Sequence, residues 1–217
     1  IPIVFSFVGD PVGVGLVQSL ARPGGNVTGV TSLVPGAYNA KSFEIIKELL
    51  PNAQRVAALT NPMNESARLR MSLEVPMVSQ LGLQIEVIEV RAPEEIPGAV
   101  AKAKRLGADA LVIVADPILI IPPNRIPDLA AQAALPAIYQ ARDAVQAGGL
   151  IAYSPDVIGI ARRHAHYVDR ILRGDSPAEL PVEQPTKYLL VINLKTAKTL
   201  GLTVPSSLLA RADEVIE

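Results

Sequence analysis

The chain has 217 residues, 49% of them apolar and 4% aromatic, with a formal net charge of −1 and no cysteine. That length suits one large domain or two small ones with ample core, and the charge gives no footprint for nucleic acid or an anionic membrane. Lacking cysteine, it has no disulfide, thiolate metal site or cysteine nucleophile, which fits an exported protein, and no apolar run approaches the ~18 residues of a membrane span.

Ile3 to Val8 is an apolar run suited to a parallel strand buried on both faces. The loop Gly9-Asp10-Pro11-Val12-Gly13 follows, and the apolar spacing of Val12 to Leu20 predicts a short helix stopped by Pro23-Gly24-Gly25. Val27 to Leu33 reads as a second strand, and Pro35-Gly36 breaks the chain before an amphipathic helix over Tyr38 to Leu50. Strand and helix then alternate: strands at Arg55–Thr60, Gln84–Val90, Ala110–Ala115, Pro136–Tyr139 and Leu150–Tyr153, with helical segments between them. A long helix is expected over Asp156 to Leu172, an extended stretch over Leu180 to Pro185, a strand over Tyr188 to Asn193, and a last helix over Ser206 to Ile216.

Such alternation implies an α/β fold with parallel sheets and helices on both faces. Breaks at Thr31 to Gly36 and Ala152 to Pro155 are expected crossings between two lobes. On this reading residues 1–34 with 155–180 form part of a first lobe, 35–154 the second, and 181–217 a C-terminal segment crossing back. The chain opens at Ile1, inside an expected buried strand and without a signal peptide, so further N-terminal sequence and an incomplete first lobe are expected.

The glycines around Gly9, Gly13 and Gly15 match neither GxGxxG nor GxxxxGK[ST], and no Lys follows to meet a phosphate. Asp10 and Pro11 suit N-cap and N1 positions, and backbone N–H groups near Gly13 would receive a carboxylate. Asn61-Pro62 and Asp116-Pro117 stand at the corresponding place after later strands. One such step is ordinary capping; three point to polar groups gathered at one cleft. Tyr38, Tyr139 and Tyr153 lie near strand ends or crossings, where a tyrosine either stacks on a ligand or packs and hydrogen-bonds within the core. The apolar run Ile118 to Pro123 reads as core or as a pocket wall. His164 and His166, two apart on a helix, do not share a face for a metal. No nucleophile elbow or catalytic triad is readable, so neither an enzyme nor a cofactor is expected.

Three phrases carry a family resemblance: Gly9-Asp10-Pro11-Val12 through Arg22-Pro23-Gly24-Gly25-Asn26-Val27-Thr28-Gly29, then Gly148-Gly149-Leu150-Ile151-Ala152-Tyr153, then Leu180-Pro181-Val182-Glu183-Gln184-Pro185-Thr186-Lys187-Tyr188 running on to Pro205. Together they resemble the extracytoplasmic substrate-binding proteins of ABC transporters, in the branch with tryptophan- and phenylalanine-binding members. The resemblance implies a type I periplasmic-binding-protein-like fold and a periplasmic or otherwise extracytoplasmic location. It also implies a small solute held in an interlobe cleft and an ABC permease as partner. Ligand contacts are expected from Asp10, Pro11, Val12 and Gly13, from Asn61, Asp116 and Tyr139, and from Tyr153 and Ser154, where the family usually shows Gly at the last position. A carboxylate-bearing amino acid, aromatic or branched, is the expected solute, and the open sheet edge beside Ile3 to Val8 is expected to favour a homodimer. A ligand-sensing module of a receptor or transcription regulator is the alternative, and a nucleotide-using transferase the weakest reading.

Overall fold

A computed structural model describes residues 1–32 and 38–217. The chain divides into two compact units, Ile1–Tyr38 with Pro155–Tyr188, and Asn39–Ser154 with Leu189–Glu217. The expected strand end at Leu33 and the break at Pro35-Gly36 lie outside the described residues, as does the side chain of Tyr38.

The first unit contains two parallel strands, β1 (Ile3–Val8) and β2 (Val27–Thr31), paired from Ile3 opposite Val27 to Val8 opposite Thr31. The register shifts between Ser6 and Val8, where Phe7 adopts φ 64° and leaves its ring 47% exposed. Between the strands, the helix expected over Val12 to Leu20 is absent. The amides of Leu16 and Val17 both reach Pro11 O, but Gly15 at φ 73° turns the backbone left-handed and ends the coil after one turn.

The segment after residue 180 runs beside β2. Glu183 bridges Val30 in parallel, with Thr31 N donating to Glu183 O at 2.8 Å and Glu183 N to Gly29 O at 3.1 Å. The long helix of this unit spans Val157–Leu172 and is capped by Asp156, whose Oδ1 accepts from Gly159 N at 3.0 Å. Its buried residues Ile160 and Tyr167 pack with Val30 and Leu180. The Tyr167 hydroxyl donates to Pro181 O, and burial, followed by the nearby Glu183 charge, pushes the phenol up to about 12.

The second unit is built on a seven-stranded sheet. In chain order it contains α1 (Tyr38–Leu49), β3 (Arg55–Thr60), α2 (Glu65–Ser79), β4 (Gln84–Glu89) and α3 (Ile96–Arg105). Then come β5 (Ala110–Ile113), the short α4 (Pro117–Ile120), α5 (Arg125–Gln132), β6 (Ala137–Tyr139), α6 (Arg142–Gln146) and β7 (Ile151–Pro155). With the long helix as α7, the chain closes on β8 (Tyr188–Asn193), α8 (Leu194–Thr199), α9 (Ser206–Leu209) and β9 (Glu214–Ile216). The strand order is β4-β3-β5-β6-β7-β8-β9.

Alternate residues of each strand enter different cores, as the two-residue strand period demands. Ala57, Leu59, Leu111 and Ile113 face α3 and α5 through Ile96, Val100 and Ile126. Val56, Ala110, Val112 and Ile138 face α1 through Phe43, Ile45 and Ile46. That two-sided burial explains why these strands are continuous apolar runs. The helix expected over Ser206 to Ile216 stops at Leu209. Glu214–Ile216 instead pairs in parallel with Val191–Asn193, and the Asp213 carboxylate accepts from Leu190 N at 2.9 Å.

In the first unit, Arg163 grips Glu183 through both carboxylate oxygens, with Nε to Oε2 at 2.6 Å. This hydrogen bond holds the Glu183 carboxyl below its ordinary value of 4.5. A lowered folded-state value means that the contribution is complete above the ordinary value and is lost as pH falls through the folded one. The stability advantage of the wild type over Glu183→Gln should therefore be steady above pH 4.5 and shrink below it, read from thermal melts across an acid series. An advantage independent of pH through this window would refute the assignment.

Candidate functional site

In open α/β sheets, ligands collect at loops leaving the carboxyl ends of strands. In the second unit, the loops after β3 and β5 meet there. Each is shaped by a short polar side chain followed by proline, which cannot donate a backbone hydrogen bond and so favours a turn.

Asn61 Oδ1 accepts from Met63 N at 2.9 Å, folding the loop after β3 back on itself. Asn64 is the N-cap of α2, with extended backbone angles of φ −87° and ψ 103°, and its Oδ1 accepts from Ala67 N at 3.1 Å. Asp116 caps α4, its Oδ1 accepting from Ile118 N at 3.0 Å. The three side chains then join: Asn61 Nδ2 donates to Asp116 Oδ2 at 3.2 Å, and Asn64 Nδ2 donates to the same oxygen at 2.9 Å. Asp116 is only 4% exposed. The neighbouring end of β6 supplies Gln140, whose Oε1 accepts from Ala115 N at 2.8 Å and fixes the residue before Asp116. Thr60, the last residue of β3, is buried, and its hydroxyl has no hydrogen-bond partner among the described residues.

This arrangement brings together Asn61 and Asp116, and adds Asn64, Gln140 and Thr60, which sequence reasoning did not select. Asn64 had a readable signal, a polar residue just ahead of a helix, but that signal is complete as a cap. The chemistry offered is that of a nearly buried carboxylate with ordered oxygen acceptors, suited to an N–H donor or a small cation.

The remaining expected contacts are placed differently. Tyr139 is 3% exposed and belongs to the core between the sheet, α3 and α5; burial, then the Asp128 charge, raises its phenol. Tyr153 packs half-buried against the core that holds Phe43, with its phenol raised mainly by burial. Ser154 is buried at the last step before the chain leaves the second unit. Of the run Ile118 to Pro123, Leu119 is buried and Ile118 packs on the core, whereas Ile121 is exposed. At the amino ends of β3, β4 and β5, a polar cavity of about 440 Å³ is lined by Gln54, Arg55, Gln84 and Asp109. Asp109 there is engaged by the N–H groups of Gln54 and Arg55, and the Arg55 guanidinium by Leu106 O.

In the first unit, the loop after β1 is a tight turn. Asp10 Oδ1 accepts from Gly13 N at 2.8 Å, and Asp10 O accepts from Val14 N at 3.1 Å. The Gly13 donor expected to meet a carboxylate is thus engaged by Asp10. Pro11 is buried, while Val12 is 40% exposed. A Cβ on Gly13 would lie 2.1 Å from Asp10 Oδ2, so any larger residue must displace the carboxylate that closes the turn. Asp10→Ala and Gly13→Ala should each destabilise the first unit by about 1 kcal/mol, the usual worth of such a cap. The double variant should cost little more than either single one, since both break the same bond. Chemical denaturation of the four proteins checks this, and full additivity would contradict it.

Residues 1–216 match the ABC transporter substrate binding protein family. The chain is 32% identical to a conserved domain protein from Vibrio cholerae O1 biovar eltor, with a TM-score of 0.92 over 99% of this chain and 71% of that one. It is 29% identical to the ABC domain in complex with L-Trp from Streptococcus pneumonia, with a TM-score of 0.90 over 99% of this chain and 72% of that one. A Tyrosine-binding protein of Clostridioides difficile is 24% identical over 203 residues, 93% of this chain. The chain spans 57% of that relative's length. A family match over nearly every residue, joined to a parallel α/β architecture with type I periplasmic-binding-protein-like relatives, makes this chain a member of the ABC transporter substrate-binding proteins.

Proposed function

We propose that the chain captures a small carboxylate-bearing solute, an aromatic or branched amino acid, outside the cytoplasm for delivery to the permease of an ABC importer. The observation that carries this reading is the nearly buried Asp116 carboxylate, held by Asn61 and Asn64 where the loops after β3 and β5 meet. A carboxylate in that position suits the ammonium group of an amino acid. The relatives' L-Trp and tyrosine support the choice of solute class. The Asp10 to Gly13 turn, likewise at the carboxyl end of a strand, is the contact proposed from the first unit. Tyr153 and Ser154 are proposed beside the ligand at the end of β7, whereas Tyr139 would act from behind it as core support. No helix among the described residues is long and apolar enough to cross a membrane, and the proposed location is periplasmic or extracytoplasmic.

Self-association is part of the same proposal. Along β1, Ile3 and Phe7 are 51% and 47% exposed, and no strand among the described residues pairs with its outer edge. Such an edge is a template for a second copy.

Isothermal titration with the twenty amino acids should find one-to-one binding of at least one aromatic or branched member. Asp116→Ala should weaken that binding by about 30-fold or more, the scale of removing one partner from a desolvated charge pair. Absence of binding across the whole set would overturn the proposal.

A further inference from the structure

We infer that Asn64 is a positioning residue that orients the Asp116 carboxylate, and thereby sets how strongly the site demands an amino group on its solute. The inference rests on the solute-capture reading above and deepens it.

Asn64 is fixed at three points. Its N–H donates to Asn61 O at 3.1 Å, its Oδ1 accepts from Ala67 N at 3.1 Å, and its Nδ2 donates to Asp116 Oδ2 at 2.9 Å. The cap bond decides which end of the amide faces the helix, so the amino end is committed to Asp116. A cap alone does not require this residue, because Ser or Asp would satisfy the helix end about as well. What asparagine adds is a donor on the far side of the same side chain.

Asp116 is pinned through both oxygens. Oδ1 takes the Ile118 N–H, and Oδ2 takes both amides. A carboxylate has about four acceptor positions, so three are engaged among the described residues and one is left for a solute. Rotation about the Cβ–Cγ bond would break all three bonds. The remaining acceptor direction is therefore set before any solute arrives, which is the condition for strong discrimination. A solute lacking the amino group leaves that desolvated acceptor unanswered, and sites built around a hydrogen bond reject such analogues. Of the two amides, Asn64 makes the shorter bond, and only Asn64 is itself anchored to a helix end.

The test compares wild type with Asn64→Ser, which keeps a capping oxygen and loses the amide donor that reaches Asp116. Asn64→Asp, which keeps the cap and sets a second carboxylate beside Asp116, is the second variant. Each is titrated with three pairs that differ only in the amino group: L-Trp and indole-3-propionate, L-Phe and 3-phenylpropionate, L-Leu and 4-methylpentanoate. In the wild type the amino acid should bind more tightly than its partner. In Asn64→Ser that preference should fall by about tenfold, the scale on which groups orienting a binding residue act, while the melting temperature stays close to wild type. Asn64→Asp should lower the preference as well.

A preference unchanged in both folded variants overturns the positioning role and leaves solute capture intact. An equal loss of affinity for both members of a pair also overturns it, since a merely structural defect would act that way. Failure of the wild type to bind any of the six compounds overturns this inference, whereas the capture reading falls only if none of the twenty amino acids binds.

Discussion

A desolvated carboxylate accepts hydrogen bonds but donates none, so its surroundings must supply every donor. At Asp116 that demand is met by the amides of Asn61 and Asn64 and by the N–H of Ile118. The two amide bonds hold the loop after β3 against the loop after β5, while Asn64 and Asp116 also begin α2 and α4. Were Asp116 apolar, the two amides would lose their common acceptor and each loop would settle on its own.

Beneath the loops lies a sheet whose strands are buried on both faces, and this made much of the fold legible. A strand with two cores has to be apolar throughout, so runs such as Arg55–Thr60 and Ala110–Ile113 stand out against the amphipathic helices between them. Reading failed where a distant contact or a single backbone angle outweighed local pattern. Val12 to Leu20 has helical spacing, yet Gly15 takes a left-handed angle and only turns remain. Glu214 to Ile216 has spacing compatible with a helix, but β8 offers an open edge and the chain pairs with it. Nothing near residue 214 in the sequence announces that neighbour.

The candidate site shows the same division. Asn61 and Asp116 were readable because a short polar residue, then proline, recurs after β1, β3 and β5. Gln140 was not, because its role depends on β6 lying beside β5, a pairing between Leu111–Val112 and Ala137–Ile138 that local sequence does not encode. Tyr139 illustrates the converse: a tyrosine at a strand's end has the right chemistry for a ligand, and the strand period nevertheless turns it into the core.

Double employment of the loop side chains has a consequence for how solute choice varies within such a protein. Asn64 and Asp116 serve a helix cap and the polar cluster at once, so a substitution that loses the cap disturbs folding and recognition together, and only a residue that keeps the cap separates the two. Residues that under the proposed function would meet a solute without such duties are freer to change. Val12 is exposed on a turn closed by Asp10 and Gly13, and its side chain takes no part in closing it. Under the proposed function, the amino end of the solute is read by groups the fold cannot readily give up. The rest of the solute is left to positions such as Val12, where substitution costs the fold little.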